Sequence, residues 1–324
     1  MRASPYDLAE QTQISTMKTE RFDWWRALAQ VLGSIEAVRD GRAMYVLLAA
    51  FAGGGTVLAM ARTALGDGNN MTLAVVEGAV GLFIAFYGSQ AAGLLLMDRA
   101  QGRPAREVVD AVVDALGVAH RVLAALVVML LAAAGIAGVV IGLFWLCGLA
   151  VVGPWLYAMV LPVTVIILGA MLVAGTAVVG PLTGPVVWAG ATSKETVFHL
   201  VRLLRQHLLH AATLMAGLTF VTALVGAGAS LVVLIAGRIM AELSVWMLGV
   251  TVPAEILMGG LLGHAVHAVD LKVVSPDALP YIAAANVGGG VVFGLALVLP
   301  TLVYLRGVCE IYLLLCQRAQ SDQK

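Results

Sequence analysis

Gly180-Pro181-Leu182-Thr183-Gly184-Pro185 closes a long apolar run that begins near residue 160, and Thr192-Ser193-Lys194-Glu195 opens a stretch of different character. A proline lacks the N–H that would bond the carbonyl four residues back, and its ring crowds that carbonyl. Two Gly-Pro pairs one turn apart therefore predict that the apolar helix kinks or stops over Gly180, Pro181, Gly184 and Pro185. Thr192 and Glu195 have the S/T-x-x-E spacing of a capping box, which predicts a new helix. Over residues 192–210, Val197, Leu200, Val201, Leu204 and Leu208 share one face, and Glu195, His199, Arg202, Gln206 and His210 share another. That pattern is an amphipathic helix lying in the headgroup layer, with Arg202 and Arg205 toward anionic lipid.

Composition says the same of the whole chain. Of 324 residues, 61% are hydrophobic and only 12% charged, whereas soluble domains carry roughly 25% charged residues. Residues 122–193 contain no Asp, Glu, Lys or Arg. One span needs about 20 residues, so this tract holds two spans and a turn. The zero net charge argues against nucleic acid as a partner. The polar start, with Asp7 and Glu10, is not read as a cleavable signal peptide. Cys147, Cys309 and Cys316 show neither a disulfide framework nor zinc spacing.

The expected fold is all-α: a polytopic membrane protein with six spans in three repeats, each repeat preceded by an amphipathic interfacial helix. Residues 1–21 form a flexible N-terminus. Repeat one (22–97) opens with a surface helix over 22–38, where Trp24, Trp25 and Arg26 lie at the membrane boundary, followed by spans at 43–64 and 72–97. Repeat two (98–190) opens with a surface helix from Pro104, and its spans run over 122–146 and 155–187. Repeat three (191–316) has spans over 211–239 and 281–316 and a long outer segment over 242–280, read as interfacial or re-entrant. Residues 317–324 form a short tail. The repeat rests on Leu94–Gln101 (LLLMDRAQ) and Leu313–Gln320 (LLLCQRAQ), which agree at six of eight positions.

Lys and Arg in the flanks set the orientation. Fifteen lie on the side of both termini and the three surface helices; Arg62, Arg238 and Lys272 lie on the other. The reading is a bacterial inner-membrane protein with both termini cytoplasmic.

Arg306 and Glu310 are one turn apart inside the last span, and ionisable groups there are functional candidates. Arg306 lies about 15 Å from Cys316 along the helix at 1.5 Å per residue. The residues are read as a self-neutralising pair that fixes packing, with an ion, proton or lipid-phosphate site as the sharper alternative. Glu77 is read as an interfacial carboxylate. His264, His267 and Asp270 have H-x-x-H-x-x-D spacing, but Asp270 points away from the two histidines, so no metal site is assigned. No catalytic residue or cofactor is assigned either, because no phosphate-loop, nucleophile-elbow or metalloprotease motif occurs. Gly53-Gly54-Gly55 and Gly288-Gly289-Gly290 read as helix-packing sites.

Val179-Gly180-Pro181 through His210 resembles the poorly characterised bacterial six-span domains typified by the membrane domain of some glycerophosphodiester phosphodiesterases. In that group a proline-ended span leads into an amphipathic basic helix, as it does here toward Arg202 and Arg205. The resemblance implies a helical membrane fold. It implies no activity, because the catalytic domain of those enzymes has no counterpart in this sequence. The functional expectation is a non-enzymatic scaffold or accessory component of a membrane assembly, contacting anionic headgroups and protein partners or further copies of itself. A secondary transporter or permease subunit with Arg306 and Glu310 in its path is the alternative, and a lipid-acting membrane enzyme is the second alternative.

Overall fold

The computed structural model describes residues 24–66, 70–149, 153–248 and 279–321, and every regular element among them is helical. In chain order these are α1 (Trp24–Gly33), a 3-10 turn (Ser34–Arg39), α2 (Gly41–Gly66), α3 (Met71–Ala100), α4 (Val108–Leu146), α5 (Gly153–Ala174), a π turn (Gly175–Val179), α6 (Gly180–Trp188), α7 (Ser193–Gln206), α8 (Leu208–Leu248) and α9 (Leu279–Ser321). Six stretches are long and apolar enough to cross a membrane, the fourth being the composite Gly153–Trp188. The six-span expectation therefore stands as six helices long and apolar enough to cross a membrane.

The tightest packing joins α2, α3 and α9. The two triglycine runs meet there. A Cβ added at Gly55 would lie 2.6 Å from Gly290 O, and one at Gly290 would lie 2.7 Å from Gly55 O. Only bare backbones allow this approach, which replaces the hydrophobic drive missing between helices in lipid. The inner half of α3, from Gln90 to Asp98, is buried on every side, as is α6 from Pro181 to Trp188. A helix that is apolar all round is a buried one. The core follows these segments to Leu200, Leu214, Leu218, Leu302, Ile311 and Leu315, so it gathers at the end where the Lys and Arg residues lie.

Toward the far end α4, α5 and α8 turn long apolar faces outward. Trp145, Trp155 and Trp246 are 78%, 80% and 78% exposed. Tryptophan prefers the membrane–water interface, and Val122 to Trp145 covers about 35 Å of helix, close to the ~30 Å of a hydrocarbon core.

Several local expectations need correction. The surface helix expected from Pro104 is not a separate element. Residues 103–107 are not helical, and the helix starts at Val108 and runs straight into the third span. Pro104 biases the residue before it toward extended backbone, which delays the start. Between Val108 and the expected span start at Val122 the one glycine is Gly117, which weakens the helix by about 1 kcal/mol, too little to separate surface helix from span. The first surface helix is likewise divided into α1 and the 3-10 turn.

The Gly-Pro stretch does not end the fourth span either. The helix loosens one turn earlier, where Gly180 N donates to Gly175 O across a π turn. Pro181 follows directly after the π turn, and Pro185 is carried inside α6. Thr183 Oγ1 donates to the Val179 carbonyl. The stop comes at Gly190, with φ of 107°. Gly190 N bonds Val187 O at 2.9 Å and Ala191 N bonds Val186 O at 3.3 Å, a Schellman ending that requires the left-handed residue.

Candidate functional site

The basic end of the bundle is a set of charged side chains, each reaching from one helix end to another. Asp40, just before α2, accepts at 3.4 Å from the Ala43 N–H of the first turn and pairs with Arg99 at 3.0 Å. Arg42 Nη1 donates to the carbonyls of Ala105 (2.9 Å) and Arg106 (3.2 Å) in the loop before α4. Arg106 closes the arrangement with a two-pronged contact to Asp98, Nε to Oδ2 at 2.7 Å and Nη2 to Oδ1 at 2.9 Å, while Nη1 reaches Asp114 Oδ2 at 2.7 Å. The hydrogen bond that Arg106 donates to Asp98, with the charges of the Asp98 and Asp114 carboxylates, holds its guanidinium above the ordinary value despite burial. A planar guanidinium suits such bidentate pairing as an ammonium does not. A cleft of about 630 Å³ opens at this corner beside Asp98, Arg106, Asp110 and Asp114.

Adjacent residues at the end of α3 thus diverge: Asp98 fastens α4 and Arg99 fastens α2. The repeated octapeptide contains both, but the expected candidates did not include Asp98. Its counterpart, Gln317, is exposed, so the repeat keeps its apolar half and loses this ionic contact.

Arg306 and Glu310 form the i, i+4 pair, Nε to Oε1 at 2.6 Å, with side chains 25% and 9% exposed. Arg306 Nη1 also lies 3.5 Å from Leu96 O. The pair is therefore level with Leu96, nearer the charged end of α3 than counting back from Cys316 implies. Glu310 Oε2 is buried and accepts no hydrogen bond among the described residues. Glu77 is half-buried in α3, with Oε2 likewise buried and unbonded.

A second contact escaped the sequence reading. Trp188 Nε1 donates to Gln90 Oε1 at 2.9 Å, joining α6 to α3. A Cβ at Gly93 would stand 2.4 Å from the indole. The one available signal was Gln90, an amide inside an apolar run.

α7 carries the expected capping box: Thr192 N donates to Glu195 Oε2 at 2.8 Å, and Glu195 N to Thr192 Oγ1 at 3.4 Å. The Thr192 backbone N–H, then its hydroxyl, hold the Glu195 carboxyl below the usual range. Leu200 and Leu203 face inward, and α7 packs on α4 and α6, so its apolar stripe is covered by protein. Arg202 and Arg205 are exposed on a face shared with Phe198, which is 76% exposed.

α1 begins at Trp24, but the side chains of Trp24, Trp25 and Arg26 lie outside the described residues, as do His264, His267 and Asp270. Among the described residues no group of three or more His, Cys, Asp or Glu is placed to hold a metal ion. No family model, no curated protein and no solved structure matches the chain.

Proposed function

We propose that the chain is a non-enzymatic bacterial inner-membrane protein with both termini in the cytoplasm, serving as a scaffold or accessory component of a membrane assembly. One observation carries this reading. The buried charged side chains at the basic end are spent on fixed contacts: Asp40 and Asp98 pair with Arg99 and Arg106 between elements, and Glu310 neutralises Arg306 within α9, while Arg306 Nη1 lies 3.5 Å from the Leu96 carbonyl of α3. A pathway needs groups that exchange partners during a cycle. Fixed bidentate contacts such as Arg106 to Asp98 suit a rigid platform instead.

The remainder of the reading fits that platform. Fifteen basic flanking residues against three support the orientation. Phe198, Arg202 and Arg205 on the open face of α7 suit contact with anionic headgroups. The exposed apolar lengths of α4, α5 and α8 offer packing surface to helices of a partner or of a second copy. The family resemblance, resting on the stretch from Val179 to His210, is consistent with a membrane domain and adds no activity. Transport retains one supporting observation, the unbonded Glu310 Oε2.

Affinity purification of the tagged chain in mild detergent, followed by crosslinking mass spectrometry, is the test. A stoichiometric partner or second copy crosslinked to α4, α5 or α8 supports the proposal. A monodisperse protein stabilised by one small solute would contradict it and favour transport.

A further inference from the structure

The start of α4 carries an amphipathic face that the ion-pair cluster leaves open. Val109, Val113 and Leu116 recur at helical spacing, and Val109 and Val113 are 70% and 62% exposed. Glu107, Asp110 and Asp114 form the adjoining stripe, and all three are exposed. Asp114 is bound to Arg106, whereas Glu107 and Asp110 make no ion pair among the described residues.

Lipid does not cover this face. Val113 and Val109 lie nine and thirteen residues before Val122. At 1.5 Å per residue that is about 14 and about 20 Å beyond the hydrocarbon, and headgroups extend only about 5–8 Å on each side. Carboxylates are also repelled by the anionic inner leaflet. A contiguous apolar patch exposed to water marks a protein contact, and the carboxylates beside it select a cationic partner.

The complementary face belongs to the same chain. On α7, Lys194, Phe198 and Arg205 share one side, and all three are exposed. Lys194 and Arg205 make no ion pair among the described residues. α7 packs on α4, so one flank of the basic end presents an acidic face beside a basic one. A two-fold axis along the membrane normal brings α4 of each copy to α7 of the other, and such a patch is self-complementary, as an isologous interface requires. Both copies then keep the same orientation in the membrane.

We propose that a second copy of this chain docks here, in a two-fold dimer. Phe198 of each copy lies against Val109 and Val113 of the other, and Lys194 and Arg205 meet Asp110 and Glu107. The inference rests on the scaffold reading, names a second copy as the occupant, and gives Arg205 a protein contact in place of a headgroup.

The experiment uses the full chain in mild detergent, as an equal mixture of light and heavy-nitrogen copies. A zero-length carbodiimide joins lysine to carboxylate, and peptide mass spectrometry reads whether Lys194 of one isotope is joined to Asp110 or Glu107 of the other. That mixed-isotope crosslink is expected, with a dimer mass by light scattering. Asp110→Lys and Arg205→Glu should each weaken dimerisation at least tenfold. An equal mixture of the two variants should dimerise again, because both contacts then pair opposite charges. Melting temperatures confirm that each variant is folded. A monomeric wild type, a dimer whose mixed crosslinks avoid α4 and α7, or variants that dimerise like the wild type would overturn the proposal. An unchanged dimer with weakened binding of Arg205→Glu to phosphatidylglycerol vesicles would assign Arg205 to headgroups and overturn it too. A monomer that copurifies with a different protein would overturn the dimer alone and leave the scaffold reading standing.

Discussion

Trp188 Nε1 and Gln90 Oε1 meet at 2.9 Å across 98 residues of sequence, and the indole lies where a side chain on Gly93 would have to go. This contact seats the buried α6 against the inner half of α3. The proline-rich segment thus becomes part of the core instead of a boundary.

Trp188→Phe should keep most of the ring packing and strand Gln90 Oε1, costing about 1–3 kcal/mol for a buried polar group left unmade. Gly93→Val should cost more, because its Cβ would overlap the indole. Thermal unfolding in detergent checks both. A Gly93→Val protein as stable as wild type would mean that α6 is not seated as described.

Arg106→Met is expected to be more damaging than Arg99→Met. Arg106, 28% exposed, holds Asp98 by both prongs and also reaches Asp114, whereas Arg99, 46% exposed, meets Asp40 through one contact, and Asp40 keeps the Ala43 N–H when Arg99 is removed. Removing one partner of a buried pair strands the other charge, typically at several kcal/mol, while exposed pairs contribute little. Asp98→Asn combined with Arg106→Met should recover part of the loss. Melting temperatures of the three variants decide it, and equal effects of the two arginine replacements would refute the ranking.

Docking of α7 should weaken on mild acidification. Burial, with Arg202 second, lowers the folded pKa of His199, and Tyr312 and Cys316 are the groups facing it from α9. The unfolded state therefore binds the proton more readily. The contribution is complete above the unfolded value of about 6.5 and is lost as pH falls below it toward the folded value. Hydrogen exchange in α7, corrected for intrinsic rates, should rise between about pH 7.5 and about 5.5. His199→Phe should flatten that rise, and an unchanged slope would count against the placement of His199.

Topology offers an independent check. Reporter fusions after Asn70, Val152 and Asp277 are expected to report the outside, and fusions after Gly102, Thr192 and Lys324 the cytoplasm. An outside signal at Gly102 would rule out the proposed arrangement of spans.

The sequence made the apolar spans legible because 122–193 has no charge to interrupt it, and the Thr192–Glu195 cap because it depends on residues three apart. Local rules failed where tertiary context decides. Two Gly-Pro pairs read as a kink or a stop, but surrounding helices bury Pro181 to Trp188, and the irregularity is a π turn upstream. The stretch from Pro104 reads as a separate surface helix, yet nothing between Leu116 and Val122 can end α4. The Arg306–Glu310 pair follows from i, i+4 spacing. The Arg106 bridge between Asp98 and Asp114 could not be foreseen, because it depends on how the loop over 101–107 folds back.

The most direct test of the account is a double-mutant cycle on Arg306 and Glu310, scored by melting temperature in detergent and by complementation of a deletion strain. The claim is that charged groups at the basic end fasten helices and carry no cargo. Arg306→Met and Glu310→Gln should then each lower stability, by less than a fully buried pair would because Arg306 is 25% exposed. The double variant should regain much of the loss and still complement. Single variants at wild-type stability, or a stable double variant that fails to complement, would contradict the account.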